Sequence, residues 1–352
     1  MVHLWVRSES RANEQRVGIT PEGVRRLIAR GFRVTVEESP HRILPIAGYA
    51  EAGAEIAPEG RWPAAPPPAV VFGLKELPQD ETPLRHRHIM FGHAFKSQPA
   101  GQALLRRFRA GGGSLYDLEY LTDDSGRRLA AFGYWAGYAG AAVSLKAWAA
   151  QRRGGLCGPV QAWHNRELLL EELRAELDAT GAARPRAIVV GALGRVGSGA
   201  SDLLAAMGAP VTRWDMAETA GGGPFPEILA HELFVNCILA GPDSPVLVPP
   251  DAVDPARLLT VIGDVACDPT SAFNPVRVYD RVTDWAHPAI RVAGRPPLDV
   301  MAIDNLPSLL PRESTLDYAG QLLPVLEALD RIEEGPWDRA RQLFARHLAA
   351  LA

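Results

Sequence analysis

The sequence predicts an α/β protein of two domains, each a parallel sheet flanked by helices. Three observations predict it. Short apolar runs alternate with amphipathic helical patterns through the first 120 residues, which is the rhythm of β-α-β units. A further strand–turn–helix–strand unit spans residues 186–215 and carries a glycine cluster at its turn. The chain has 352 residues, a length suited to about two domains of roughly 150 residues each.

Composition narrows the function classes. The apolar fraction of 47% and charged fraction of 22% are those of a globular chain, which excludes wholesale disorder. A net charge of −4 gives no reason to expect nucleic acid or an anionic membrane as partner. No apolar run reaches 18 residues, and M-V-H-L-W-V-R is charged too soon for a signal peptide. Cys157, Cys237 and Cys267 show no metal-ligand spacing and cannot all pair, which fits buried thiols, no metal, and a cytoplasmic protein.

Each element has its own signal. Residues 2–6 read as a first strand. Thr20-Pro21-Glu22 starts a helix, with Thr as N-cap and Pro at the first helical position, and Gly31 stops it. Residues 32–37 form the next strand, 49–54 a short helix, 63–68 a proline-rich turn and 70–74 a buried strand ending on Lys75-Glu76. Residues 88–93 read as a strand ending in Gly-His, 98–111 as a helix, and 114–119 as a strand ending on an acid. The small-residue helix at 133–150 is expected to cross between domains, and 167–180 to be amphipathic helix. Strands are expected near 233–239, 259–264 and 290–292, and helices at 318–328 and 337–350.

The stretch 186–215 is the most informative. The run Ala187–Val190 ends on Gly191, followed by glycines at 194, 197 and 199, a helical pattern, and a second strand, Val211–Trp214, ending at Asp215. A dinucleotide site needs this layout: glycines allow a tight turn, a close pyrophosphate and close packing of helix on strand. The helix start supplies N–H groups and a positive dipole for the diphosphate. Asp215 lies roughly 20 residues on, where an acid meets the adenosine ribose hydroxyls and disfavours a 2′-phosphate. The spacing is G-x-x-G-x-x-G rather than the common G-x-G-x-x-G. The expected architecture is therefore two Rossmann-like domains with the active site in the interdomain cleft.

Ligands of open α/β sheets bind beyond the carboxyl ends of strands. Lys75, Glu76, His93 and Glu119 sit at such ends, with Arg16 before the first helix and Arg127-Arg128 past a D-D-S-G turn. A lone histidine after an apolar strand is more often structural than catalytic. A lysine, a histidine and several arginines together suit an acid–base pair with carboxylate clamps.

With these residues placed, the chain resembles the NAD-dependent, lysine-forming saccharopine dehydrogenases. The ordered segments are R-V-G-I-T-P (16–21), G-L-K-E-L-P (73–78), H-I-M-F-G-H (88–93), S-L-Y-D-L-E (114–119), G-R-R-L-A-A-F-G (126–133), G-A-L-G-R-V-G-S-G-A (191–200), G-G-P-F (222–225) and I-D-N-L-P-S-L-L-P-R-E (303–313). Alanine dehydrogenase and the transhydrogenase nucleotide domain look like more distant relatives. The resemblance implies oxidation of saccharopine by NAD, giving lysine and 2-oxoglutarate. By motif, Lys75 and His93 match the acid–base pair. Arg16, Glu76, Lys96, Glu119, Arg127, Arg128 and Phe132 match the substrate region. Gly191, Gly194, Arg195, Val196, Gly197, Asp215, Thr219, Asp304 and Leu306 match the cofactor region. It further implies a substrate domain of residues 1–131 plus 318–352, an NAD domain of 132–317, and a monomer or small homo-oligomer.

Two departures stand out. Val196 replaces a cysteine of the fungal glycine loop, so Cys237 is expected to remain a thiol. Ala220-Gly221 replaces a bulkier, basic pair beyond the nucleotide acid. Two other readings stay open: another amino-acid or opine dehydrogenase on the same scaffold, and a catalytically silent NAD-binding protein.

Overall fold

The computed structural model describes residues 1–96, 98–253 and 256–351. The chain divides into two compact units, residues 1–131 with 311–352, and residues 132–310. The second boundary lies at Leu310/Pro311, seven residues before the 317/318 step drawn from sequence. A proline opens the helix Pro311–Leu326 there, and the helix joins the first unit as a single rod.

The first unit is a six-stranded parallel sheet: β1 (His3–Val6), β2 (Arg33–Glu37), β3 (Glu55–Ala57), β4 (Val70–Phe72), β5 (Arg87–Met90) and β6 (Ser114–Asp117), in the order β3-β2-β1-β4-β5-β6. The order reverses between β1 and β4, which makes the carboxyl ends of those strands the topological switch point. Between strands run α1 (Pro21–Ala29), α2 (Ile46–Glu51) and α3 (Pro99–Gly111). Thr20 caps α1 by accepting the Gly23 N–H at 3.1 Å, as its sequence signature requires. Leu104, Leu105 and Phe108 of α3 bury against Leu84, Met90 and Leu115. Gly112 closes α3 in the left-handed region at φ 75°, a conformation glycine takes without steric cost.

The second unit is a second six-stranded sheet: β7 (Ala187–Val190), β8 (Val211–Trp214), β9 (Leu233–Asn236), β10 (Val261–Asp264), β11 (Ile290–Gly294) and β12 (Pro297–Met301), ordered β11-β12-β10-β9-β7-β8. All pairs are parallel except the edge pair β11–β12. Alternation along the strands feeds two cores. Ala187, Val189, Leu233, Val235, Val261 and Met301 face one side, and Ile188, Val190, Phe234, Ile262 and Val300 the other.

Helices α4 (Gly133–Arg152), α5 (Arg166–Asp178), α6 (Arg195–Ala206), α7 (Met216–Thr219) and α8 (Pro226–Leu229) surround this sheet. Read from sequence as the crossing segment and the start of the 132–317 domain, α4 opens the second unit and is buried without a break from Gly137 to Ala149. Its small residues let α6 approach closely. A Cβ at Gly137 would lie 1.8 Å from the Val196 carbonyl oxygen, and one at Gly199 would lie 1.9 Å from that of Tyr134. Lys146, on this helix, is satisfied by Glu172 and Glu176 of α5. Finally α9 (Pro311–Leu326) and α10 (Gly335–Ala349) complete the first unit. Arg26 of α1 pairs with Glu327 at 2.6 Å, and Phe344 of α10 packs edge-on against Phe108.

Candidate active site

At the switch point of the first unit, the residues after β1 hold the residues after β4. Glu9 is buried and accepts the N–H groups of Leu74 (2.6 Å) and Lys75 (3.0 Å), while Arg7 donates to both the Glu9 carboxylate and the Lys75 carbonyl. Gly73 leaves room for the Arg7 guanidinium, since a Cβ would sit 2.4 Å from its central carbon. The Lys75 backbone is therefore fixed from two sides, and the neighbouring Glu76 carboxylate meets Arg11.

Arg16 is buried and forms a two-pronged pair with Glu14, at 2.8 and 2.6 Å. Burial pushes the Glu14 carboxyl up, but the Arg16 guanidinium and the Lys75 ammonium outweigh it and hold Glu14 below the usual carboxylate range. The motif placed Arg16 among substrate contacts. In the structure both prongs of its guanidinium engage Glu14.

Past β5 and β6 lies the second group. The strand expected at 88–93 ends at Met90, and His93 follows in a loop with φ 49°, the lone positive φ of a non-glycine residue among those described. Glu119 gathers the His93 imidazole (Nδ1 to Oε2, 3.8 Å) and two cations, Lys96 (3.6 Å) and Arg128 (2.8 Å). Partial burial and the Lys75 charge push His93 below the ordinary imidazole value. Glu119 opposes them, and Lys96 and Arg11 add to the depression. Lys75, His93, Lys96, Glu119, Glu76 and Arg128 thus come together. Arg127 lies across the small hairpin beside Asp123.

Sequence reasoning passed over Glu9, Glu14 and Asp117. Asp117 ends β6, is 1% exposed, and accepts N–H groups from Gly92 and Glu119. The available signal was an acid closing a buried strand, in S-L-Y-D-L-E.

In the second unit the glycine turn behaves as its chemistry demands. Gly191 has φ 84°, Gly194 is the N-cap of α6, and a Cβ at Gly197 would lie 2.1 Å from the Gly191 carbonyl oxygen. Arg195 and Val196 open the helix. The Asp215 carboxylate accepts the N–H groups of Leu193 and Met216, each at 2.9 Å, tying the glycine loop to the end of β8. Beside it opens a cavity of about 550 Å³ lined by Asp215, Met216, Thr219, Ile238, Leu239 and Ser244 among others. Among the described residues, no Arg or Lys lines it. Asp304 is exposed beyond β12, whereas the Leu306 side chain is buried in the core below α4. Phe132 is the N-cap of α4. Between the nucleotide strands, buried Asp264 accepts from Asn236 (2.9 Å) and Tyr279 (2.8 Å), a group the sequence did not reveal. Cys157, Cys237 and Cys267 are all thiols. Among the described residues no three His, Cys, Asp or Glu side chains converge as a metal site, and no helix is long and apolar enough to cross a membrane.

Residues 5–139 match the family model described as alanine dehydrogenase/PNT, N-terminal domain. An L-alanine dehydrogenase structure covers 98% of this chain, and 94% of that chain is covered in return, with a TM-score of 0.70 at 19% identity. Fold and site together define a two-unit, Rossmann-type α/β protein with the alanine dehydrogenase architecture. The sequence relatives are more specific. The saccharopine dehydrogenase (NAD+, L-lysine-forming) of Candida glabrata is 44% identical over 362 residues, covering 99% of this chain and 97% of the relative. That of Candida albicans is 42% identical, covering 99% and 98%. The chain belongs to the saccharopine dehydrogenase (NAD+, L-lysine-forming) family.

Proposed function

We propose that the chain catalyses the reversible cleavage of saccharopine, with water and NAD+, to L-lysine, 2-oxoglutarate, NADH and a proton. The observation that carries the reading is the grouping of Lys75 and His93 with Lys96, Arg128 and Glu119 at the strand ends of one sheet, in a chain so close to enzymes of that name. Bound NAD+ supplies the hydride acceptor. The residues that would hold it are Gly191, Gly194, Arg195, Val196 and Gly197 of the glycine loop, Asp215 and Thr219 past β8, and Asp304 and Leu306 past β12.

The residues of the first unit do the proton work. Saccharopine is a secondary amine with three carboxylates, which Lys96, Arg127 and Arg128 suit, with Arg16 and Glu14 shaping the site. Its amine must be neutral before hydride leaves the adjacent carbon. A histidine held below its ordinary pKa is ready to take that proton. Water adds to the resulting imine carbon, and the carbinolamine collapses as its C–N bond breaks and the leaving lysine nitrogen gains a proton. Lys75 and His93 share these transfers, and Glu76 and Glu119 temper their repulsion. We place the enzyme in the cytoplasm as a monomer or small homo-oligomer without nucleic acid or membrane partners.

The test follows NADH oxidation at 340 nm with lysine plus 2-oxoglutarate, beside pyruvate plus ammonia. Turnover confined to the first pair, falling about 10²- to 10⁴-fold in Lys75→Met and His93→Gln, is expected. Turnover with pyruvate and ammonia would reassign the substrate, and NADH binding without any turnover would make the chain a nucleotide binder.

A further inference from the structure

The residue before His93 and the residue that contacts its imidazole are tied to one side chain. Asp117 is 1% exposed at the end of β6. Its Oδ2 accepts the Gly92 N–H at 3.2 Å, and its Oδ1 accepts the Glu119 N–H at 2.9 Å. One carboxylate therefore joins the loop after β5 to the turn after β6. Gly92 makes room for it, because a Cβ there would lie 2.7 Å from Leu115 and 3.3 Å from Asp117 Oδ2. Directly after this anchor His93 turns into the left-handed region. Such a conformation persists in a non-glycine residue only when its surroundings over-determine it.

We propose that Asp117 is a positioning residue for the reaction: by binding the backbone at Gly92 and at Glu119 it holds the His93 imidazole against Glu119 and within the field of Lys75. The proposal rests on His93 being an acid–base group. The groups facing His93 are Lys75, Glu119, Lys96 and Arg11, and those facing Asp117 are Glu119, Tyr120, Arg128 and, from α9, Tyr318. Burial lifts the Asp117 carboxyl to about 6, so it is an ionised double acceptor above that pH. An amide in its place keeps the shape but turns one acceptor into a donor aimed at an N–H.

The test compares Asp117→Asn and Asp117→Ala with wild type in full pH profiles of the cleaving direction, with saccharopine and NAD+. If Asp117 positions His93, kcat falls about 10- to 100-fold, least in the Asn variant. KM for NAD+ stays within twofold of wild type, and the acid-side pKa of kcat/KM for saccharopine rises towards the ordinary imidazole range as His93 leaves Lys75. A kcat and profile unchanged in a folded variant overturn the proposal. A fall in Tm with kcat and acid-side pKa unchanged makes Asp117 merely structural, which also overturns it. If Asp117→Ala does not fold, the Asn variant decides by the same criteria. If His93→Gln retains wild-type kcat while wild type turns over lysine and 2-oxoglutarate, the proposal falls and the saccharopine activity stands.

Discussion

At the scale of single residues, the charges around His93 set the pH at which it would work in the proposed reaction. Its lowered pKa leaves it neutral, and able to accept a proton, at a more acidic pH than a free imidazole. Activity in the cleaving direction is then lost only as pH falls through that depressed value. Lys96→Met removes a cation and should move the acid limb of kcat/KM to higher pH. Glu119→Gln removes an anion and should move it lower. Opposite displacements in the two profiles are the expected result, and displacement in one direction for both would contradict the electrostatic account. His88 offers a stability test. It lies on β5, packed edge-on to Trp62 and Phe108, with neither ring nitrogen hydrogen-bonded. Burial lowers its pKa to about 3, against an ordinary 6.5 in the unfolded chain. The unfolded chain then binds the extra proton, so stability present above pH 6.5 drains away as pH falls towards 3. His88→Phe should flatten that fall in Tm. The sequence showed Lys75, His93, Glu119 and Arg128 because each follows soon after an apolar strand or turn. It did not show Glu9 or Asp117, whose partners are 66 and 25 residues distant.

At the scale of elements, the contact of α4 with α6 matters most, because α6 begins at the glycine turn. Gly199→Ala would drive a methyl group into the Tyr134 carbonyl and cost about 1–3 kcal/mol if the helices separate to admit it. Thermal unfolding with and without NADH would show a lower Tm and weaker stabilisation by the nucleotide, since ligand stabilisation tracks affinity. The helical periodicities and the strand–turn–helix unit were readable from residue type. Strand ends were not. The runs expected to reach His93 and Leu239 end at Met90 and Asn236, because the chain leaves the sheet at its carboxyl edge while its residues stay apolar. β3 and β12 were missed for different reasons. β3 has three residues, and β12 begins on proline and carries a buried Asp299 that is satisfied by Arg291 of β11 at 2.8 and 3.0 Å.

For the molecule as a whole, the rhythm of elements was enough for two α/β units, and the 131/132 step already put α4 with the second. Burial added that α4 runs through the interior of that unit. The cavity beside the glycine turn, proposed to take the nucleotide, has Asp215 on its wall and no lysine or arginine among the described residues lining it. That lining predicts turnover with NADH far above that with NADPH. Comparison of kcat/KM for the two cofactors tests this. The grouping of Lys75, Lys96, Arg11 and Arg128 carries a consequence for encounter rather than for chemistry. The chain is acidic overall, at −4, yet it concentrates positive charge where a tricarboxylate must arrive. Such a local field draws anions in from solution and repels them elsewhere on the surface. It fades as the screening length shrinks from about 10 Å at 0.1 M salt to about 3 Å at 1 M. Added sodium chloride should therefore slow capture of saccharopine, lowering kcat/KM steeply while kcat at saturating substrate changes little.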